Sequence, residues 1–483
     1  MQRTFLVNLA LVLVLNLVVK PFYILGIDAG VQDAVGPATY GTYAALLSLG
    51  FLLNILLDLG ITNYNTRHIA RHTEQMGEHV GGMTGMRIAL ALLYGACIMG
   101  TGVLLGYRGE QLTILAWLAL NQALVATILY LRSNIAGAHY FRTDSLLSVL
   151  DRVLLIGMVG WLLWGRGTGV PFRIEWFVWA QTLAYGTTAL VALAVVLRIS
   201  GGVRPGWSLA FARKVLRESF PYALLVLLMT FYYRIDTLMI ERLLDDGPYH
   251  AGIYYQGFRV FEAFNMLGYL MAALLLPMFS RLLVGGGEGH DELQRLASLA
   301  FRLVLAGALA VAVFGSMRAQ EVMDLLYASD TGRAAPVFTL LIWSFVAVCT
   351  TYVFGTLLTA GGELRTLNVL AGSGALFNIA LNLVLVPRFQ AEGAAWASLF
   401  TQLLTALAQL VLAVRVFDLR PPWVLLARAT GYALCLYALA WGLAWVPCGL
   451  FTAAVIFGAG AIALAIVLGL VQPRAAMALL KDK

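Results

Sequence analysis

The feature that leaves this chain fewest folding choices is a succession of long apolar runs with almost nothing between them. Bounded by Gly, Pro or charge, the runs cover 5–27, 38–62, 82–106, 111–135, 144–164, 175–197, 220–244, 250–280, 294–316, 334–360, 364–386, 391–414, 423–445 and 449–471. About 20 apolar residues cross a bilayer as a helix, and only helices or closed barrels satisfy their backbone there. The spacing therefore predicts an all-α integral membrane protein with about 14 transmembrane helices. Composition agrees: of 483 residues, 61% are hydrophobic and 12% charged, about half the charged share of a soluble domain. The N-terminal run from Phe5 to Val19 lacks an A-x-A cleavage site, so it is expected to stay as the first helix rather than leave as a signal peptide. The four cysteines, Cys97, Cys349, Cys435 and Cys448, fall in apolar stretches without CxxC spacing and predict neither a disulfide set nor a metal site.

The net charge of +7 says nothing about nucleic acid here, since basic residues in a membrane protein report topology. Loops on the N-terminal side carry Arg3, Arg67, Arg71, Arg142, Arg198, Arg204, Arg213, Lys214, Arg217, Arg281, Arg295, Arg365, Arg415, Arg420, Arg474, Lys481 and Lys483. Opposite them stand Arg108, Arg166, Arg173, Arg242, Arg318, Arg333 and Arg388. That asymmetry places both termini in the cytoplasm. The basic stretch "RISGGVRPGWSLAFARKVLRES" (198–219) reads as an interfacial helix on the cytoplasmic leaflet.

The chain also repeats itself. "GPATYGTY" from Gly36 and "GPYHAGIY" from Gly247 both fit G-P-x-x-x-G-x-Y. "WAQTLAYGTTALVALAVVLR" (Trp179–Arg198) matches "WASLFTQLLTALAQLVLAVR" (Trp396–Arg415), and "AGAHYFRT" (Ala136–Thr143) corresponds to "AGGELRT" (Ala360–Thr366). Three ordered matches argue for duplication of a six-helix unit. Even-numbered units share an orientation, so two parallel, pseudo-symmetric lobes are expected, the arrangement of an alternating-access transporter. The divisions are an N-terminal lobe over 1–200, a basic linker at 201–219, a C-terminal lobe over 220–415, and two extra helices with a tail over 416–483.

Eight basic residues lie inside spans: Lys20, Arg87, Arg132, Arg152, Arg234, Arg259, Arg302 and Arg428. At about 1.5 Å per residue, Lys20 is about 22 Å and Arg234 about 20 Å in from the cytoplasm, with Arg259 and Glu262 about 10 and 15 Å below the outer surface. Asp236 shares their level. A charge at a helix centre costs about 2.5–3.5 kcal/mol, so this band predicts a hydrated cavity. Three bases against two acids favour an anionic ligand, for which Arg forks and Lys suit phosphate. Salt bridges of Arg234 with Glu262, or Arg259 with Asp236, are the structural alternative. Arg234 and Asp236 are two residues apart and point to different sides of their helix, whereas Tyr255, Arg259 and Glu262 share one face. Asp151 and Arg152, about 12 Å into span 5, form a secondary candidate pair. Arg87, Arg132, Arg302 and Arg428 lie near cytoplasmic span ends, where snorkelling explains them, and Asp58 reads as a packing or capping residue.

"GGGEGHDE" (Gly285–Glu292) lacks G-K-[ST] and is expected to be a loop; Asp245-Asp246 reads as a turn. No nucleophile elbow, H-E-x-x-H or nucleotide fold is visible, so neither catalytic residues, a metal nor a cofactor is expected. Protons or sodium ions remain candidate coupling ions, with Asp236 or Glu262 as their site.

The stretches "VVKPFYILGIDAGVQDAVGPATYGTYAALLSLGFLLNILLDLGITNYNTRHIAR" (Val18–Arg71) and "RIDTLMIERLLDDGPYHAGIYYQGFRVFEAF" (Arg234–Phe264) resemble bacterial polysaccharide transporters. These are the O-antigen-type flippases of the multidrug/oligosaccharidyl-lipid/polysaccharide (MOP) exporter superfamily, found among lipopolysaccharide-biosynthesis membrane proteins. The resemblance implies transfer of an undecaprenyl-pyrophosphate-linked oligosaccharide from the inner to the outer leaflet of the cytoplasmic membrane, between lobes that open alternately. It implies membrane lipids and polysaccharide polymerase machinery as partners, and no nucleic acid. Related flippases carry essential basic residues in spans 1, 7 and 8, which here correspond to Lys20, Arg234 and Arg259. Tyr232, Tyr233, Tyr254 and Tyr255 are candidates for sugar contact. Two rival readings are a cation-coupled multidrug antiporter of the same superfamily, which would prefer an acidic cavity, and a membrane polysaccharide polymerase or ligase, which would need a large external loop.

Overall fold

The computed structural model describes residues 18–62, 65, 69, 76–165, 170–200, 209–284 and 289–471. The first part of the first run, the linker residues 201–208, Arg67, Arg71, residues 285–288 and the C-terminal tail lie outside them. Among the described residues every element is helical, joined by short turns, and there is no strand. Among the described residues, eleven helices are long and apolar enough to cross a membrane, and the protein is a multi-pass membrane protein. The longest, Leu364–Val416, is two helices that meet at Gln390, whose φ is 55°. The pair closes so tightly there that a Cβ added at Gly393 would lie 2.3 Å from the Leu385 carbonyl oxygen. Spans 11 and 12 of the sequence are thus one hairpin.

By contacts the chain separates into Met1–Tyr255 and Gln256–Lys483, and each unit is described by itself. The first opens with a π-helical turn, Tyr23–Asp28, in which the Ala29 amide reaches back to the Ile24 carbonyl. It continues as α1 (Ala29–Val35). Gly36, at φ 79°, breaks the helix, and Pro37 at the first position starts α2 (Pro37–Leu53), a place where its missing donor and fixed φ cost nothing. After α3 (Ile55–Asp58) come α4 (Met76–Leu104), α5 (Glu110–Gly137), α6 (Phe141–Gly160), α7 (Ile174–Ser200), α8 (Leu209–Leu243) and α9 (Gly247–Val284). α5 packs on α7 and α4, α6 on α7, and α8 lies along α2. α8 starts at Leu209, eleven residues before the apolar run that begins at 220: the helix runs unbroken through Pro221, so the basic segment ahead of span 7 continues into the span itself.

The second unit takes up α9, which runs unbroken from Gly247 to Val284. It continues through α10 (Gly289–Met317), α11 (Ala319–Leu326), α12 (Thr331–Ala360), the hairpin α13 (Leu364–Val416), α14 (Trp423–Ala444) and α15 (Leu450–Val467). α12 packs along α13 and α10, and α14 covers α10. Within lipid no hydrophobic force drives helices together, so close contact rests on small residues. Gly257 admits the Phe338 backbone within 2.9 Å of where a Cβ would sit, and Gly268 admits the Tyr352 ring within 2.6 Å.

Candidate functional site

Polar chemistry in the first unit gathers where the π-turn meets α6 and α7. Arg152 lies with its guanidinium 4.7 Å from the ring centre of Tyr23 and 5.7 Å from that of Tyr185. Its Nη1 donates to the Tyr185 hydroxyl at 2.9 Å, and its Nε is 3.9 Å from Asp151. The Tyr23 ring quadrupole attracts the guanidinium, and the hydrogen bond to the Tyr185 hydroxyl fixes its other side. Lys20 precedes Tyr23 by three residues, which places the two on one side of the helix; Arg152, Arg132 and Asp151 are the charges that act on it. Arg132 pairs with Asp144 at 2.7 Å. Three cations (Lys20, Arg132, Arg152) with two carboxylates (Asp144, Asp151) leave this group at +1, so the secondary pair named from the sequence shares a neighbourhood with Lys20.

At the other end of the π-turn, Asp28 is fully buried and its carboxylate accepts the Tyr40 hydroxyl at 2.8 Å. The Tyr40 ring lies tilted against those of Tyr43 and Tyr255, with centres 5.2 and 5.6 Å away. The Tyr43 hydroxyl accepts the Gln181 amide at 2.8 Å. Asn121 donates to the Gln181 side-chain oxygen and accepts from Thr182. This buried chain across α2, α5 and α7 was not visible in the sequence, where each member is an isolated neutral polar residue. The usable signal was the motif itself, whose last tyrosines are Tyr43 and Tyr254.

Span 7 carries the second acidic centre. Asp236 is 1% exposed and accepts the Tyr254 hydroxyl at 2.9 Å. Arg234 turns the other way, its guanidinium 4.4 Å from the centre of the Phe51 ring on α2. The divergence expected of residues two apart on a helix is therefore what the side chains do. Tyr232 is buried with its ring 5.8 Å from that of Tyr233. At the end of α8, Glu241 takes a hydrogen bond from Tyr107 at 3.0 Å and pairs with Arg242 at 2.7 Å, while Arg242 lies 3.7 Å over the Tyr107 ring. Burial, and then the neighbouring Glu241 charge, raise the Tyr107 phenol, so it stays a donor to that carboxylate.

Arg87 corrects the sequence reading. Rather than snorkelling to the interface, it is buried, 3.4 Å from Asp58, with Nη2 donating to the Ala126 carbonyl at 2.6 Å and its guanidinium 4.8 Å over the Tyr130 ring. Asp58 also receives the Thr62 amide and hydroxyl, beyond a left-handed turn at Leu59 and Gly60. A buried guanidinium without these partners would be costly; with them it fastens α3 to α4 and α5.

In the second unit Arg259 and Glu262 pair with each other one turn apart on α9, so each offsets the other's charge. Asn378 and Asn382 are fully buried and joined at 3.1 Å on α13.

This assembly of apolar helices, broken by buried charge, defines a polytopic membrane protein fold. The lipid II flippase MurJ, in an inward closed conformation, is similar at 11% identity with a TM-score of 0.69, over 95% of this chain and 97% of that one. An inward-facing multidrug resistance MATE transporter of the MOP superfamily is similar at 15% identity and 0.64, over 82% and 94%. A MOP superfamily transporter from Pyrococcus furiosus is similar at 14% and 0.55, over 85% and 93%. The fold is shared with these proteins. A family model described as polysaccharide biosynthesis protein matches residues 10–283, and the chain belongs to that family. No curated protein matches the sequence.

Proposed function

We propose that this protein is a flippase, not an enzyme, that moves a lipid-linked oligosaccharide across the bacterial cytoplasmic (inner) membrane, with both its termini in the cytoplasm. The observation that carries the reading is the group of Lys20, Arg132 and Arg152 with Asp144 and Asp151, formally net-positive, inside a membrane-spanning unit, with Arg152 set against Tyr23 and hydrogen-bonded to Tyr185. A membrane places surplus positive charge among its helices only at a cost. A phosphate or pyrophosphate headgroup recovers that cost by charge-assisted hydrogen bonds. Membership of the polysaccharide biosynthesis family and likeness in fold to a lipid II flippase support a lipid-linked substrate, here an undecaprenyl-pyrophosphate oligosaccharide for O-antigen, capsule or exopolysaccharide.

In this reading Lys20, Arg152 and Arg234 of the first unit bind the phosphates or acidic sugars, and Arg259 of the second unit is a further candidate for such contact. Tyrosines supply flat faces for sugar rings, and the lipid tail stays in the bilayer. Asp236 and Glu262 balance the charge or take up a coupling proton or sodium ion; no cofactor is needed. The product would pass to polysaccharide polymerase machinery. The multidrug antiporter reading calls for an acidic site, which the +1 group does not provide.

The test compares lipid-linked sugars in cells with the wild-type gene, the deletion and Arg152→Gln. Accumulation on the cytoplasmic leaflet in both altered strains supports the proposal. Unchanged lipid-linked sugars in the deletion, with new drug sensitivity, would favour the antiporter.

A further inference from the structure

The two copies of G-P-x-x-x-G-x-Y meet each other. A Cβ added at Gly41 would lie 1.8 Å from the Pro248 carbonyl oxygen and 2.6 Å from the Gly252 nitrogen; one added at Gly252 would lie 2.0 Å from the Pro37 carbonyl oxygen. The contact is reciprocal, backbone on backbone, and no side chain other than hydrogen fits on either side. It joins the start of α2 to the start of α9, the ends that the basic-residue asymmetry of the loops places outside. Gln32 on α1 fastens it further, donating to the Gly252 carbonyl at 2.9 Å, and Tyr40 beside Gly41 lies against Tyr255.

One element links this crossing to the charged group. The π-turn presents Tyr23 to Arg152 at its beginning and Asp28 to Tyr40 at its end. A π-turn holds one residue more per turn than the surrounding helix. It can revert to α geometry by passing that residue along, which rotates one end against the other; such turns are frequent at functional sites. Coupling between sites needs an element of this kind with two discrete arrangements.

We propose that the glycine crossing is the outer gate of the translocation path and that the π-turn Tyr23–Asp28 is the lever tying its closure to the charged group at Arg152. Occupation of that group by an anionic headgroup pulls on Tyr23, shifts the turn, and loosens Tyr40 and Gln32 from the crossing. The gate's sidedness rests on the topology used above, but its motion can be read without knowing the substrate.

The experiment places a reporter thiol at Ala251, which is fully buried beside Gly252, and measures its labelling by a membrane-impermeant maleimide added outside intact cells. The chain without Ala251→Cys gives the background. With the crossing intact, labelling is slow. Gly41→Leu, which cannot cross, is expected to speed it at least tenfold. Tyr40→Phe, which adds no bulk and keeps the ring, and Tyr23→Leu, which touches only the far end of the lever, are each expected to speed it severalfold. Equal amounts of membrane-inserted protein are required of every variant. Labelling in Gly41→Leu no faster than in its parent, or from the cytoplasmic side alone, overturns the gate. Labelling unchanged by both Tyr40→Phe and Tyr23→Leu overturns the lever. Loss of sugar transfer without a change in labelling would count against the gate but leave the flippase reading standing.

Discussion

Spans 1–2 and spans 7–8 are equivalent in the repeat, and they solve one problem twice. Each carries a carboxylate on its first helix, buried to within 1% of complete, and each satisfies it with a tyrosine hydroxyl from its second helix, at 2.8 Å for Asp28–Tyr40 and 2.9 Å for Asp236–Tyr254. The tyrosines are not equivalent in the motif: Tyr254 aligns with Tyr43, while Tyr40 aligns with Ala251. The first pair sits in a π-turn, the second in regular α-helix. The cations also differ. Lys20 shares its surroundings with Arg152 and Arg132, whereas Arg234 is laid over Phe51. The repeat therefore preserves a buried anion held by a phenol, and varies what surrounds it. The irregular copy adjoins the charge surplus.

The strongest way to break the comparison is bulk at the crossing. Gly41→Leu and Gly252→Leu should each destabilise by about 3 kcal/mol or more, beyond ordinary overpacking because the obstacle is backbone. Gly95→Leu, with nothing within 4 Å, should stay near wild type in the same thermal unfolding series in detergent. If all three behave alike, the crossing does not constrain the helices.

Removing the phenols comes next. Tyr40→Phe and Tyr254→Phe each delete a hydrogen bond to a buried carboxylate, expected to cost about 1.5–3 kcal/mol. Unequal losses would separate the two copies. Arg152→Lys should then lower transfer roughly tenfold while the protein still inserts, since an ammonium lacks the planar fork that meets Tyr23 and the Tyr185 hydroxyl together. The smallest effect belongs to Phe51→Leu, which removes the face beneath Arg234 and should cost about 0.5–2 kcal/mol, read as a modest fall in melting temperature.

The fold was legible because lipid enforces it: a backbone crossing hydrocarbon must be helical, and the apolar runs announce each crossing. Runs 364–386 and 391–414 were separable in sequence even though Gln390 joins them in a single tight hairpin. The beginning of α8 was less legible, since Pro221 normally marks a helix start, yet here the helix passes through it from Leu209. Charges at depth were visible as anomalies, but their partners were not. Arg87 reads as snorkelling until Asp58, 29 residues away, and the Ala126 carbonyl are brought to it. Asp28 went unweighed because nothing local distinguishes it; its importance lies in Tyr40, which a glycine break turns back toward it. Arg259 and Glu262, one turn apart, were the easiest to pair, since helix geometry alone puts them together.

The claim at the centre of this account is that a net-positive group in the first unit handles an anionic, lipid-linked headgroup. It is tested most directly by reconstituting wild-type and Arg152→Gln protein into vesicles and following the arrival of a pyrophosphate-linked oligosaccharide at the opposite leaflet. The account predicts transfer by the wild type and a loss of at least tenfold in the variant, with both proteins equally inserted. Equal transfer by the two, or none by the wild type under conditions where it exports a cationic drug, would contradict it.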